Sequence, residues 1–246
     1  MKRYRLFIIL AAIFLGASGT IYFTHYLIFR DPHHIFIYLV GDLGFLPLEA
    51  FIVVVVVERL LTRREKHTLM QKLNMVVGAF FSEMGNRLLG DLLKHIKNSD
   101  ELRQHLAITP GWTHKEFKKA AAFAQKANFG VDCCDLDLDG LKAFLVKERM
   151  FMLTLLENPN LLEHERFTDL LWAASHLAEE LEVRSSLEKL PESDTEHIAG
   201  DIQRLYGRLV AEWVAYVEHL KLNYPFLFSL VLRTHPFQEH PSPVVK

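Results

Sequence analysis

Residues 6–29, LFIILAAIFLGASGTIYFTHYLIF, form the apolar run from which the rest of the chain can be interpreted. As an α-helix this run extends roughly 36 Å, which is enough to cross the hydrocarbon core of a bilayer. The basic start, MKRYR, and the small residues at 16–19 resemble a signal peptide, but the apolar run continues well past them. We therefore predict a retained membrane span over residues 6–29.

A second apolar segment follows within residues 35–61. Its end is clear, because the run FIVVVVV at 51–57 is closed by Glu58 and Arg59. Its start is less clear, because two glycines, an aspartate and a proline interrupt the pattern between residues 41 and 47. Residues 30–34, RDPHH, contain a proline that breaks helices and predict a short turn. The sequence thus predicts a transmembrane hairpin as the first domain, residues 1–61.

Basic residues predict the orientation of this hairpin. They are dense at the N-terminus and after the second span, whereas the turn carries Arg30 alone. Cytoplasmic loops of membrane proteins carry the excess of Lys and Arg, so both ends are expected in the cytoplasm. The only two cysteines, the neighbours Cys133 and Cys134, fit a reducing compartment. We expect a multi-pass protein with a cytoplasmic N-terminus and a cytoplasmic C-terminal domain.

Asp42 and Glu49 are acidic residues within the predicted second span, and a separation of seven places them on one helix face. An ionised carboxylate is costly inside a bilayer, so one interpretation is an ion-responsive site or a small oligomeric channel. The other is a shorter span that leaves Asp42 among the headgroups and Glu49 bonded to a neighbouring helix. The sequence favours the second interpretation, because one acid per helix does not define a conduction path.

Residues 62–246 predict a second domain that is all-helical and bundle-like. Leu69, Leu73, Val76, Phe80, Met84 and Leu88 recur at helical spacing. Caps and breakers predict further helices over 114–128, 141–157, 164–187 and 195–222, with Thr113 and Asp139 as N-caps. The apolar tail at 224–232 is expected either to fold back on the bundle or to lie in the membrane interface.

Motifs for catalysis and for cofactor binding are missing from the sequence. There is no nucleophile elbow, phosphate-binding glycine loop, dinucleotide fingerprint or HExxH, so we predict no catalytic residue and no cofactor, and the sequence favours a non-enzymatic protein over an enzyme. A formal net charge of -2 argues against nucleic acid as a partner. The acidic run DLDLDG at 135–140 resembles half of a calcium loop, but position twelve is Val146 instead of glutamate. It is better explained by the preference of acids for a helix N-terminus.

A metal site within the bundle is a further hypothesis. His176 with Glu179 or Glu180 offers ligands one helical turn apart, and Glu212 is expected to face them, together with His219 or Glu83. The Glu-x-x-His order of di-iron bundles is reversed at 176–179, so solvated polar residues are the alternative interpretation.

Residues 151–176, including ENPNLLEHE at 157–165, and YPFLFSL at 224–230 are similar to segments of bacterial inner-membrane proteins that are described as uncharacterised. The resemblance implies a bacterial inner-membrane setting. It implies no activity, cofactor or partner.

Three functional hypotheses follow from the sequence. The leading one is a membrane-tethered protein-interaction, scaffold or regulatory module at the cytoplasmic face. Its partners would be the lipid bilayer and either another protein or further copies of the chain. The second is a small channel or ion-responsive protein that uses Asp42 and Glu49. The third is a metal-carboxylate bundle enzyme that uses His176, Glu179 and Glu212.

Overall fold

The computed structural model of the chain describes residues 2–127, 129–133 and 135–244, with the side chains at 2–7, 66, 67 and 162 excepted. The chain divides into two compact units, Met1–Lys66 and His67–Lys246. Regular secondary structure in the described ranges is helical, apart from one antiparallel bridge between Ile96 and Val131. The predicted all-α class is confirmed.

The first unit holds helix α1, Lys2–Phe29, and the beginning of helix α2, Pro32–Phe80. Asp31 caps α2, because its Oδ1 atom accepts the backbone N–H of His33 at 2.9 Å and of His34 at 3.3 Å. Pro32 is the first helical residue, where a missing N–H costs nothing. The turn is therefore Arg30 and Asp31, shorter than the predicted 30–34, and Arg30 has a φ of 47°.

Helix α2 runs without interruption through Gly41, Gly44 and Pro47. Within the described residues, two helices are long and apolar enough to cross a membrane by length and composition, Ile8–Phe29 and the one that begins at Pro32. Most of the described apolar side chains of this unit are exposed. The rings of His25 and His34 stack beside the turn with centroids 5.6 Å apart.

The second unit contains the rest of α2 and a series of shorter helices. A π-helical turn, Phe81–Gly85, follows α2. The α-helices after it are α3 Asn86–Leu93, α4 Ser99–Leu106, α5 His114–Lys126, α6 Leu138–Lys147, α7 Arg149–Leu156, α8 Glu165–Val183, α9 Glu192–Asn223 and α10 Pro225–Thr234. A 3-10 helix, Pro159–Glu163, precedes α8.

Helix α9 lies at the centre of the second unit and packs against α3, α5, α8 and α10. Apolar residues at helical spacing from Ile198 to Leu220 form a stripe along α9, and this stripe is buried. Tyr206, Val210, Val214 and Val217 beside the stripe are buried too. A helix that is apolar on most of its circumference must be covered on several sides. This explains why α9 carries buried polar groups too, namely Asp201 and Glu212.

Several predicted helix ends need correction. The capping box of Thr113 and Glu116 before α5 is confirmed, whereas the predicted end at Asn128 lies outside the described residues. Helix α6 begins three residues before the predicted Leu141, because Asp137 and not Asp139 is its N-cap and accepts the Gly140 N–H at 2.8 Å. The predicted helix 141–157 is divided at Glu148 into α6 and α7.

The C-terminal tail folds back on the bundle, which was one of its two predicted positions. Helix α10 packs on α9 and buries Phe228. Phe226, on the other side of the helix, is 71% exposed.

Candidate functional site

Helices α8 and α9 run antiparallel and are joined by residues 184–191. Their register is shown by two contacts, His176 with Asp201 at one end and His164 with Glu212 at the other. Each helix contributes a histidine and an acid one turn apart, so that four side chains meet: His176 and Glu180 from α8, and His197 and Asp201 from α9. We call these four residues the His–acid cluster.

Distances within the His–acid cluster are short and similar. The Oδ2 atom of Asp201 lies 3.5 Å from Nε2 of His176 and 3.5 Å from Nε2 of His197. Glu180 approaches the same histidines, with Oε1 3.8 Å from His176 and Oε2 3.7 Å from His197. The ligand atoms of His176, Glu180 and Asp201 thus lie within 4.8 Å of one another, and His197 adjoins this group through the two carboxylates.

Asp201 is the buried member of the cluster, with a side chain that is 3% exposed. Its Oδ1 atom accepts a hydrogen bond from Nη1 of Arg204 at 2.6 Å. Its Oδ2 atom is buried and has no hydrogen-bond partner among the described residues. Burying a charged oxygen without a partner is costly, so this atom is suited to a cation placed between the two histidines.

Arg184 orients the second acid of the cluster. Its Nη1 atom donates to Oε2 of Glu180 at 2.7 Å, and its other nitrogens form a fork onto Asp194 at 2.6 and 3.0 Å. The hydrogen bond from Arg184 holds the pKa of Glu180 below its ordinary value. Glu180 is thus kept ionised, and its Oε1 atom remains directed toward His176.

The donor set determines what the cluster can hold. Two imidazoles and two carboxylates are a typical ligand set for borderline divalent transition metals. His176 is 47% exposed and His197 is 53% exposed, so the cluster is open to solvent on one side. An ion placed there would have access to water, and Arg184 and Arg204 would orient its carboxylate ligands.

The structure brings together only part of the predicted metal site. His176 belongs to the cluster with Glu180, which the sequence placed as the alternative to Glu179, and Glu179 itself is exposed. Successive residues of a helix point about 100° apart, which is why one of the two neighbours joins the cluster and the other does not. Glu212 lies eleven residues beyond Asp201, about 16 Å along α9, so the prediction that it faces His176 is wrong.

Glu212 belongs instead to a separate buried pair with His164. The Nε2 atom of His164 lies 3.2 Å from Oε1 of Glu212. Glu83 and His219 were the other expected partners. Glu83 is exposed, and Nδ1 of His219 lies 3.0 Å from Nδ2 of Asn74.

His197 and Asp201 were not identified from the sequence, although a signal for them exists. His176 precedes Glu180 by four residues, and His197 precedes Asp201 by four residues. Two His-x3-acid pairs on successive helices would have indicated a shared site, because residues four apart lie on one helix face.

Other predicted features lie apart from the cluster. Asp42 and Glu49 are exposed residues of α2 in the first unit. Cys133 is half-buried, and Cys134 lies outside the described residues.

Comparison with known proteins identifies the relatives of the chain. Residues 2–61 match the family domain described as "MJ1433, N-terminal helical domain", and residues 69–233 match "Uncharacterized protein MJ1433, C-terminal helical domain". The chain is 42% identical over 236 residues to the uncharacterized protein MJ1433 of Methanocaldococcus jannaschii, covering 96% of this chain and 94% of that protein. No solved structure shows a significant match.

These matches correct one inference from the sequence. The relative comes from an archaeon, so the bacterial setting implied by the earlier resemblance has no support. Both matched domains are described as helical, in agreement with the fold. The chain belongs to the MJ1433 family.

Proposed function

We propose that the C-terminal domain binds a divalent transition-metal ion at the His–acid cluster, and that the N-terminal helices anchor it in a membrane. The observation that supports the metal site is the buried Oδ2 atom of Asp201. It faces the Nε2 atoms of His176 and His197 without a hydrogen-bond partner among the described residues.

The spacing of the donor atoms fits such an ion. Zinc–ligand bonds to histidine and carboxylate are about 2.0–2.2 Å long, so neighbouring donors of a tetrahedral site lie about 3.4 Å apart. The four histidine–carboxylate separations range from 3.5 to 3.8 Å, with a different oxygen of Glu180 facing each histidine. The ligand atoms of His176, Glu180 and Asp201 all lie within 4.8 Å of one another. Small side-chain movements would therefore complete the coordination, with Glu180 and Asp201 neutralising the charge of the ion.

Zn²⁺ is the ion that this donor set favours, with Co²⁺ as its spectroscopic substitute. The absence of a thiolate argues against copper(I), and two imidazoles argue against Ca²⁺ and Mg²⁺, which prefer oxygen ligands. Exposure of both histidines leaves room for a water molecule on the ion. A metal ion with a bound water is a common basis for hydrolytic chemistry, so the metal-dependent enzyme inferred from the sequence is retained with a changed ligand set.

The competing explanation for the cluster is a set of histidine–carboxylate ion pairs with no metal. To separate the two, untagged full-length protein in mild detergent would be stripped with EDTA, equilibrated with Zn²⁺, passed over a desalting column and analysed for bound zinc. We expect one zinc per chain in the parent protein and a large loss in Asp201→Asn and Glu180→Gln. Loading with Co²⁺ should give the visible absorption bands of a tetrahedral site.

Glu179→Gln provides the matched control, because Glu179 is the adjacent residue of the same type and is exposed. It should retain the zinc that Glu180→Gln loses. A protein that leaves the column free of zinc, or equal zinc contents in the two variants, would refute the metal site.

Membrane anchoring is supported by the apolar surface of the first unit. Large side chains on both helices are exposed, among them Phe14 at 72%, Leu15 at 74% and Phe51 at 66%. Apolar patches of this extent in contact with water would cause aggregation, whereas lipid covers them without cost. The basic residues after the second predicted span favour a cytoplasmic C-terminal domain.

Two experiments test this part of the proposal. The chain should stay in the membrane pellet after alkaline carbonate extraction, and it should be released when residues 1–61 are removed. Reporter fusions should place both termini in the cytoplasm. Release of the full-length chain by carbonate would contradict anchoring, and an external C-terminal reporter would contradict the orientation.

The other hypotheses drawn from the sequence stay predictions. A protein-interaction or scaffold role would be seen as a partner that copurifies in defined stoichiometry. A channel role would be seen as ion flux into liposomes that is lost when Asp42 and Glu49 are changed to Asn and Gln.

A further inference from the structure

A cleft of about 370 Å³ lies beside the His–acid cluster and shares none of its four residues. Its floor is apolar and includes Phe129, Gly207 and Ala211. Three arginines line it: Arg166 from α8, and Arg204 and Arg208 from α9. A volume of this size falls in the range of small-molecule sites, which combine apolar walls with a few convergent polar groups.

Two of the three guanidinium groups form only long ion pairs. The Nε atom of Arg166 lies 3.8 Å from Oε2 of Glu212, and the Nε atom of Arg208 lies 4.0 Å from Oδ2 of Asp169. Both ion pairs are longer than a hydrogen bond, so among the described residues neither acid is hydrogen-bonded to its arginine and both guanidinium groups can donate to a ligand. Arg204, by contrast, is bonded to Asp201.

The balance of charge in the cleft depends on Glu212. Asp201 pairs with Arg204, which leaves Arg166 and Arg208 against Asp169 and Glu212, and Glu212 is only 2% exposed. Burial raises the pKa of Glu212 and so reduces the negative charge that it contributes. The Oε2 atom of Glu212 has no hydrogen-bond partner among the described residues, so the inner wall retains an unused polar atom.

We propose that this cleft binds a small organic oxyanion, a carboxylate or a phosphate ester, with an apolar body. The forked donors of Arg166 and Arg208 match the paired oxygens of either group. The apolar body would lie on Phe129 and the adjacent backbone of α9. This site is additional to the metal site and contains none of the four residues of the His–acid cluster.

Isothermal titration of the full-length protein in detergent tests the proposal, with EDTA present so that the His–acid cluster is empty. Phenyl phosphate, benzoate and inorganic phosphate serve as probes. We expect phenyl phosphate or benzoate to bind with a dissociation constant in the millimolar range or below. Response to phenyl phosphate alone would assign the site to phosphate esters, and response to benzoate alone would assign it to carboxylates.

Variants show whether the binding occurs in the cleft. Arg208→Gln and Arg166→Gln should each weaken it about tenfold or more, because a charged hydrogen bond is lost. Arg166→Lys should weaken it less, since it keeps the charge and loses the fork. Arg87→Gln removes an arginine outside the cleft and should leave the affinity unchanged.

The outcomes that overturn the proposal are distinct from failure of the metal site. No heat from any probe at millimolar concentration would exclude the oxyanion site. Equal binding by the arginine variants would exclude the cleft as its location. Tighter binding of inorganic phosphate than of phenyl phosphate would exclude the role of the apolar floor.

Discussion

The Nε2 atom of His164 lies 3.2 Å from Oε1 of Glu212, and both side chains are buried, with exposures of 6% and 3%. On its other side, the Nδ1 atom of His164 accepts the backbone N–H of Phe167 at 3.3 Å and caps helix α8. Because Nδ1 is an acceptor, the ring proton is on Nε2, the nitrogen that faces Glu212. A single histidine thus fixes a helix start and a buried carboxyl group together.

The first prediction concerns Glu212→Gln. Burial raises the pKa of Glu212 above 4.5, so the stability that it contributes is present below pH 4.5 and declines as the pH rises through the folded-state pKa. The glutamine variant lacks this decline. As the pH rises from about 4 to about 8, its free energy of unfolding should therefore increase relative to the parent. Urea unfolding measures the difference, which should not change with pH in Glu179→Gln. A constant difference for Glu212→Gln would contradict the prediction.

The second prediction concerns His235, which is 2% exposed and lies against Trp213 with ring centroids 5.4 Å apart. Burial lowers its pKa from 6.5 to about 4. Its contribution to stability is present above pH 6.5 and is lost as the pH falls toward 4, because the unfolded chain takes up the proton first. The parent should thus lose roughly 3 kcal/mol of its free energy of unfolding over this interval, and His235→Phe should not show this loss. Free energies of unfolding that change in parallel with pH in the variant and the parent would disprove the prediction. His105 is exposed, so His105→Gln is the control and should keep the loss seen in the parent.

The third prediction compares two glycines. A Cβ atom on Gly85, at the end of the π-helical turn, would lie 2.6 Å from Cδ1 of Phe81 and 2.8 Å from Cε1 of Phe80. Both rings are buried, so Gly85→Ala should destabilise the protein by about 1–3 kcal/mol. A Cβ atom on Gly200 of α9 would meet nothing within 4 Å, so Gly200→Ala should stabilise by about 0.5–1 kcal/mol. Thermal unfolding should shift in opposite directions, and a shift in the same direction would show the packing argument to be wrong.

The fourth prediction concerns Arg184, whose side chain is 16% exposed and bonds Glu180 and Asp194. Lysine keeps the charge but cannot form the fork onto Asp194. Arg184→Lys should therefore lower the free energy of unfolding by about 1–3 kcal/mol. Arg87→Lys is the matched control, since its pair with Asp91 is 63% and 56% exposed and should contribute less than about 1 kcal/mol. Equal effects of the two substitutions would count against the prediction.

Local pattern was enough to predict much of the fold. The apolar stripe from Ile198 to Leu220 and the capping box at Thr113 each depend on residues within a few positions, and both occur in the structure. Helix ends set by one cap were less certain, since Asp137 and Asp139 are both suitable and only one can accept the N–H of Gly140.

The candidate site required information that local pattern does not contain. His176 was identified, but its partners depend on the register between α8 and α9. That register places Asp201 opposite His176 and Glu212 opposite His164. It is fixed by the packing of two long apolar faces and by the length of the connection between the helices. The sequence of one helix does not contain this register. Both helices were therefore predicted, but Glu212 was wrongly expected to face His176.

The two oxygens of Asp201 have different partners: Oδ2 faces the histidines and Oδ1 holds Arg204, which lines the arginine cleft. A cation beside Oδ2 would draw charge from the carboxylate, weaken its hold on Arg204 and release that guanidinium toward an oxyanion. Thermodynamic reciprocity then requires the oxyanion to raise the affinity for the cation by the same factor. One aspartate would make the domain respond most strongly when both ligands are present, as a detector of their coincidence.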